Sequence, residues 1–234
     1  MRMVEYEIED LGEDKQLVRA VNELFKPKDI FAVVESGTFH GTGTTKLIIN
    51  AIEAANYITR PLLFTVEASE NNYLIAKKNL KEYEWVQVIH GVSVDMQDAL
   101  NFMEHDEPLN QHGFWPNIYI DDLNNPVAFY SQEVRGQLFG SGKVGENNVF
   151  ARLLPAVRQS SILLVLDSCG GTGWFEFQKA IELMGDYPFC MLLDDVCHVK
   201  HFRSAAYIES KLDEGWSIIA KSDRWMLAGK NQCV

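Results

Sequence analysis

The chain has 234 residues and a mass of 26.6 kDa, with 47% hydrophobic and 23% charged residues and a formal net charge of -12. That composition excludes disorder over the whole length, and no apolar run approaches the length of a membrane-spanning helix. The acidic excess argues against wrapping nucleic acid or lying on an anionic membrane, so the expected partner is a small molecule.

In chain order, residues 14–25 space Leu17, Val18, Val21, Leu24 and Phe25 along one helical face. FAVVES (31–36) is a short apolar run that enters glycines and reads as a buried strand, with a helix at 44–57. LLFTVEA (62–68) is a second strand with a helix at 70–82. VQVIHG (86–91) is a third strand, followed by a helix at 94–104. SILLVLD (161–167) and FCMLLDD (189–195) are the fourth and fifth strands, with helices at 174–184 and 200–212. WSIIAK and WMLAGK around SDR read as a terminal hairpin, and NIYID (117–121) as a short strand. The N-terminus MRMVEYEIEDLGEDK lacks the apolar stretch of a secretory signal. Cys169, Cys190, Cys197 and Cys233 include no C-x-x-C pair, so a reduced, cytoplasmic protein is expected.

Strand–helix units in succession predict an α/β fold, a seven-stranded, doubly wound, mostly parallel sheet ending in a β-hairpin. One domain over 1–234 is expected, and a homodimer is the default assembly. Residues 106–148 break the rhythm with prolines, asparagines and FGSGKVGENN, and look too poor in aliphatic residues to bury a core of their own. With its flank to 160 this is an insertion between strands three and four. It carries Phe114, Trp115, Tyr119, Tyr130, Phe139, the pair Asp121–Asp122 and the glycine-flanked Lys143. A long loop over a strand-end cleft is a lid or substrate wall, or else an interface.

Ligands of such sheets bind beyond the carboxyl ends of the strands. Those ends here are Glu35–Gly37, Glu67, Gly91–Ser93, Asp167 and Asp194–Asp195. The loop ESGTFHGTGTT holds Gly37, Gly41 and Gly43 and leads into a helix, which suits a ligand pressed against backbone. It is not a phosphate loop, because Lys46 follows Thr45 and precedes Leu47 where G-K-[ST] is needed, and not a dinucleotide fingerprint, because Lys46 stands where the third glycine would be. Glu35 disfavours a pyrophosphate but suits a ligand bringing an ammonium or sulfonium. Glu67 is placed to take ribose hydroxyls. S-adenosylmethionine has a ribose, no pyrophosphate and a positive centre.

With VVESGTFHGTGTT (33–45), LLFTVEASENNYLIAKKNL (62–80), VQVIHGVSVDM (86–96), ILLVLDS (162–168) and CMLLDDVCHVKH (190–201), the chain resembles the class I S-adenosylmethionine-dependent methyltransferases, in their catechol O-methyltransferase-like and cephalosporin-hydroxylase-like branch. The resemblance implies a Rossmann-like methyltransferase fold. It implies that Gly37, Thr38, Gly41, Gly43 and Thr44 wrap the methionine part with Glu35 nearby, and that Asp167 faces the cofactor. Glu67, with Ala68 beside it, would hold the ribose, and Gly91, Val92 and Ser93 would edge the adenine. Ser93 also reads as the cap of the helix after it, and His40 as a spacer.

Asp167, Asp194 and Asp195 would converge at adjacent strand ends. Such carboxylates repel unless protonated or bridged by a cation, and an all-oxygen set suits Mg²⁺, Ca²⁺ or Mn²⁺. The resemblance supports these three as ligands of a divalent metal, magnesium first, that would chelate and acidify an acceptor hydroxyl. Otherwise Asp167 holds the cofactor's amino group and Asp194–Asp195 cap the next helix. The catechol enzymes carry a lysine soon after the strand-four aspartate; here that segment is DSCGGTG. His198, Lys200 and His201 are therefore the candidate catalytic bases, and D-D-x-x-H-x-x-H also reads as a histidine–carboxylate site for iron or zinc. The expected activity is metal-assisted methyl transfer to an oxygen of a small molecule. A nicotinamide-dependent oxidoreductase and a non-catalytic cofactor-binding subunit are the alternatives.

Overall fold

The computed structural model describes residues 14–27, 29–111, 113, 115, 117–139 and 145–231, the side chains of 137–139 excepted. Phe114, Lys143 and Cys233, as well as the side chain of Phe139, lie outside the described residues. The elements run α1 (Lys15–Phe25), β1 (Ala32–Ser36), α2 (Thr44–Ala54), β2 (Leu62–Glu67), α3 (Glu70–Asn79), β3 (Val86–His90) and α4 (Met96–His105). Next come α5 (Glu107–Asn110), α6 (Pro126–Phe139), α7 (Val149–Val157), β4 (Ile162–Leu166), α8 (Gly173–Met184) and β5 (Phe189–Leu193). The chain closes with α9 (Phe202–Glu209), β6 (Trp216–Lys221) and β7 (Met226–Lys230).

These strands form one seven-stranded sheet in the order β3-β2-β1-β4-β5-β7-β6. β1 to β5 pair in parallel, and β7 runs antiparallel to both β5 and β6. This is the expected architecture, hairpin included. The order reverses between β1 and β4, and the crevice at such a switch point is where parallel sheets take ligands.

β1, β4 and β5 are buried along their whole length because helices cover both faces. Alternate residues then serve opposite cores. Val33, Leu163 and Leu192 pack with Leu17, Val21, Ile48 and Ile52 of α1 and α2. Val34, Leu164 and Met191 pack with Phe150, Phe177 and Ile208 of α7, α8 and α9. Asp14 caps α1 through the N–H groups of Gln16 and Leu17 and accepts from the Trp225 indole at 2.7 Å, which ties the first helix to the hairpin.

The insertion differs from its expectation. It holds two full helices, α6 and α7, and buries Ile120, Tyr130 and Val134 against Leu100 and Met103 of α4 and Val199 after β5. It needs no core of its own because it borrows one. NIYID makes only an isolated bridge, Tyr119 to His198. α4 is capped by Asp95, whose carboxylate accepts from Asp98 N–H at 3.0 Å, and not by Ser93. Cys169 and Cys197 are free thiols. No helix among the described residues is long and apolar enough to cross a membrane.

Two glycines calibrate the backbone. Gly37 has φ +80°, and a Cβ there would lie 1.9 Å from the Asp167 carbonyl oxygen. Gly136 sits exposed within α6 with open space around it. Gly37→Ala is expected to destabilise by roughly 3 kcal/mol or more, from left-handed strain plus a backbone clash. Gly136→Ala should stabilise by about 0.5–1 kcal/mol through helix propensity. Thermal melts of the two variants would check the opposite signs.

Candidate active site

The carboxyl ends of β1 to β4 open on a cavity of about 340 Å³. Its walls are Ser36, Gly37 and Phe39 after β1, and Glu67, Ala68 and Asn72 after β2. Gly91, Val92, Ser93, Val94 and Met96 follow β3, and Asp167 to Gly170 with Thr172 follow β4. The insertion adds Asp121, Glu133 and Val134. The volume lies in the range of small-molecule sites, and the walls join apolar surface to a few converging carboxylates.

Glu67 is almost wholly buried at the end of β2. One of its oxygens accepts from Phe39 N–H at 2.7 Å and the other from Ser69 N–H at 2.8 Å. A carboxylate offers about four acceptor positions, so with the two amides and the Asn72 side chain bound, capacity remains for a ligand hydroxyl. Burial raises its pKa, opposed by the Ser69 and Phe39 amides. Phe39 adopts φ +50° and stays more than half exposed, with its ring stacked on His40 at 3.8 Å. The glycine loop thus presents an aromatic ring beside the cavity.

The rest of the loop lies elsewhere. Glu35, Thr38, Gly41, Gly43 and Thr44, all expected at the cofactor, do not line the cavity. Glu35 faces the α2 side of β1 and is 0% exposed. Its Oε2 accepts from the hydroxyls of Thr45 at 2.7 Å and Thr65 at 2.6 Å, while Oε1 has no partner. Thr38 extends this chain through its contact with Thr65. Burial pushes the Glu35 carboxyl up to about 7, against the two threonine hydrogen bonds. Glu35 therefore braces the loop from below.

Gly91, Val92 and Ser93 do line the cavity, but their backbone is partly occupied. Val92 N–H donates to the Glu146 carbonyl at 2.8 Å, and the Val92 and Ser93 carbonyls accept from Val149 and Phe150 N–H. The insertion's return segment is clamped onto the end of β3.

At the ends of β4 and β5, Asp167, Asp194 and Asp195 each place a carboxylate oxygen within 4.8 Å of the others. The expected convergence is there, and so is a cation. Lys200 Nζ lies 2.6 Å from Asp167 Oδ1 and 3.0 Å from Asp195 Oδ2. Lys200 is 5% exposed. Burial works against its charge, but Asp167, Asp195 and Asp194 outweigh it and raise the pKa far above the ordinary value. The Arg224 guanidinium adds contacts of 3.5 Å to Asp194 and 3.6 Å to Asp195. Asp194, under burial and the neighbouring Asp167 charge, is pushed up to about 7. An ammonium is thus already seated among the three carboxylates that were expected to hold a divalent metal. Asp194–Asp195 do not cap a helix either, since α9 begins only at Phe202.

None of the three candidate bases is poised to accept a proton. Lys200 is locked in the ion cluster. His198 Nδ1 accepts from Lys200 N–H at 3.1 Å, so in the neutral ring the proton sits on Nε2, which lies 3.2 Å from Asp121 Oδ2 and 3.2 Å from Tyr130 OH. Tyr130 OH donates to the same Asp121 oxygen at 2.8 Å. His201 is fully buried against Ser204 and held neutral, by burial first and then by the Lys200 charge. These positions are not among the cavity walls.

The insertion adds two acids that do face the cavity, Asp121 and Glu133. The His198 hydrogen bond keeps Asp121 ionised below its usual range. Burial raises the pKa of Glu133 on α6, against a hydrogen bond with Cys169. The sequence reading noted Asp121 only as half of an acidic pair and missed Glu133, Cys169, Phe39 and Asn72. Recognising α6 would have found Glu133, since Tyr130, Glu133 and Val134 share one helical face.

No family model matches the chain, and no curated protein does. Solved structures that resemble it include an O-methyltransferase from Bacillus cereus in complex with SAH. The identity is 14%, the match covers 91% of this chain and 80% of that one, and the TM-score is 0.47. A methyltransferase from Geobacter sulfurreducens gives 12%, 93%, 79% and 0.48 in the same order. A precorrin-6y C5,15-methyltransferase from Geobacter metallireducens gives 10%, 95%, 90% and 0.44.

Glu35 yields a pH signature. Its folded pKa is raised to about 7 from an ordinary 4.5. Its neutral form therefore supports the fold at low pH, and that support is lost as pH rises through 7. Glu35→Gln keeps the shape and removes the charge. The variant should gain on wild type by on the order of 3 kcal/mol between pH 5 and pH 8. Urea melts at the two pH values would read the difference.

Proposed function

We propose that this chain is an S-adenosylmethionine-dependent methyltransferase acting on a small molecule. The observation that carries the reading is the cavity at the switch point of the sheet. The turn after β1, Glu67 after β2, the 91–93 segment after β3 and Asp167 after β4 all border it. Bound there, S-adenosylmethionine supplies an electrophilic methyl group on a sulfonium. Glu67 accepts from a ribose hydroxyl with its remaining acceptor capacity. Gly91, Val92, Val94 and Met96 edge the base. Asp167 faces the amino group, and the carboxylates around the cavity favour the positive centre.

The acceptor enters on the side of the insertion. Asp121 and Glu133 there accept a hydrogen bond from an acceptor hydroxyl and fix its oxygen in line with the methyl group. Glu133, made more basic by burial, takes the hydroxyl proton. A specific observation also favours an amine acceptor. Among the described residues the cavity is lined by Glu67, Asp121, Glu133 and Asp167 and by no lysine, arginine or histidine.

Calorimetry with S-adenosylhomocysteine tests the core of the proposal. Wild type is expected to bind, and Glu67→Ala to lose tenfold or more in affinity, as removing about 1.5–3 kcal/mol of charge-assisted hydrogen bonding requires. Unchanged affinity in Glu67→Ala would count against the reading. Transfer of labelled methyl groups to parallel panels of hydroxyl and amine acceptors separates the two acceptor classes. Glu133→Gln should lower kcat by about a hundredfold on the true acceptor.

A further inference from the structure

We infer that the ε-ammonium of Lys200 is the resident cation of the Asp167, Asp194 and Asp195 carboxylates, so that this site takes no divalent metal and Lys200 acts as a positioning residue for Asp167. Only the role of Asp167 rests on the methyl-transfer reading; the occupancy of the carboxylate trio does not.

Three oxygens within 4.8 Å of one another make an arrangement that a hard divalent ion would fill. Lys200 Nζ holds that position with contacts of 2.6 Å to Asp167 and 3.0 Å to Asp195. The side chain is not a surface lysine that has folded inward. Its stem runs through a slot at the start of α8, where a Cβ on Gly173 would meet Lys200 Cγ and the Lys200 carbonyl oxygen at 2.5 Å. Its own N–H is bound to His198 Nδ1, and the neighbouring Val199 N–H to the Tyr119 carbonyl at 2.9 Å. The backbone on either side is therefore pinned. To admit a metal, the chain would have to unpack this stem and bury its ammonium without a partner, a costly exchange. Arg224 covers Asp194 and Asp195 from the hairpin side, so each carboxylate already faces a cation of the chain.

A tethered ammonium differs from a metal in what it delivers. It holds Asp167 against the β5 loop and leaves that residue on the cavity wall. It offers no open coordination position to an acceptor oxygen, so the acceptor's proton must go to a side chain.

Manganese binding to the full chain, followed by electron paramagnetic resonance, tests the inference. Wild type is expected to show no Mn²⁺ binding that Asp194→Asn removes. Lys200→Ala should bind Mn²⁺ at least about tenfold more tightly than wild type, because the carboxylates then lack their cation. Adding Asp194→Asn to that variant should abolish the gain. Lys200→Met, which keeps the stem, serves if the alanine variant does not fold. Lys200→Ala should also lose affinity for S-adenosylhomocysteine and recover it when Mn²⁺ is added, a rescue that a merely structural lysine would not allow. Wild-type binding that Asp194→Asn abolishes, a variant with no better binding than wild type, or a failed rescue would each overturn the inference. If wild type binds no S-adenosylhomocysteine, the methyl-transfer reading fails while the manganese comparison still decides the occupancy of the site.

Discussion

A parallel sheet brings its strand ends to one edge, and here that edge carries more negative charge than it can hold alone. Asp167 ends β4, and Asp194 and Asp195 end β5, a neighbouring strand in register with it. In a buried setting such charges cannot coexist without protonation or a cation. Lys200 supplies the cation, and much of the local sequence follows from making room for it. Gly173 opens the slot for its stem. Gly170 and Gly171 lie where any Cβ would collide with His198, Tyr130 or Met103. The glycine-rich run after β4 is thus an imprint of side chains arriving from the insertion, from α4 and from the β5 loop.

The carboxylates of this edge fall into two tiers. Glu35 and Glu176 lie beneath the cavity, fully buried and raised in pKa by burial. Their hydroxyl partners, Thr45 and Thr65 for one and Ser168 for the other, brace the loops above them. Glu67, Asp121, Glu133 and Asp167 reach the cavity itself. The lower tier fixes backbone, and the upper tier meets ligand. An acid at a strand end belongs to one tier or the other according to which face of the strand it occupies, a distinction of a single residue in register.

That distinction explains what could be read from the sequence. β1, β4 and β5 were legible as continuous apolar runs because they are buried on both faces, whereas the half-exposed β3 and β6 were legible from their short apolar runs and the turn signals that bound them. Glu67 was legible because it closes its strand. Glu35 lies off the cavity wall because strand alternation turns it under α2. α6 stayed hidden because its apolar residues are spread around the helix and Gly136 interrupts it, so no amphipathic stripe announces it. At the carboxylates, residue chemistry alone allows Mg²⁺ or an ammonium. The ammonium seated there belongs to Lys200, 33 residues beyond Asp167, a separation that sequence alone does not close.

The same geometry bears on where a lysine can act. The segment after the β4 aspartate is DSCGGTG and carries no lysine. A lysine instead reaches Asp167 from the loop after β5. A lysine next to the aspartate in sequence would be free to face the cavity as a base. One that comes from the adjacent strand arrives from within the protein and is spent on charge compensation. In the proposed methyl transfer, proton transfer then falls to groups on the open side of the cavity, where the insertion places two acids. Asp121 is held ionised by His198 and Tyr130, whereas Glu133 is raised by burial beside Cys169. Two acids driven apart in this way suit a division of work in that proposal, the first holding a positive or donor group and the second accepting a proton. The insertion therefore lends the cavity acids as well as a wall.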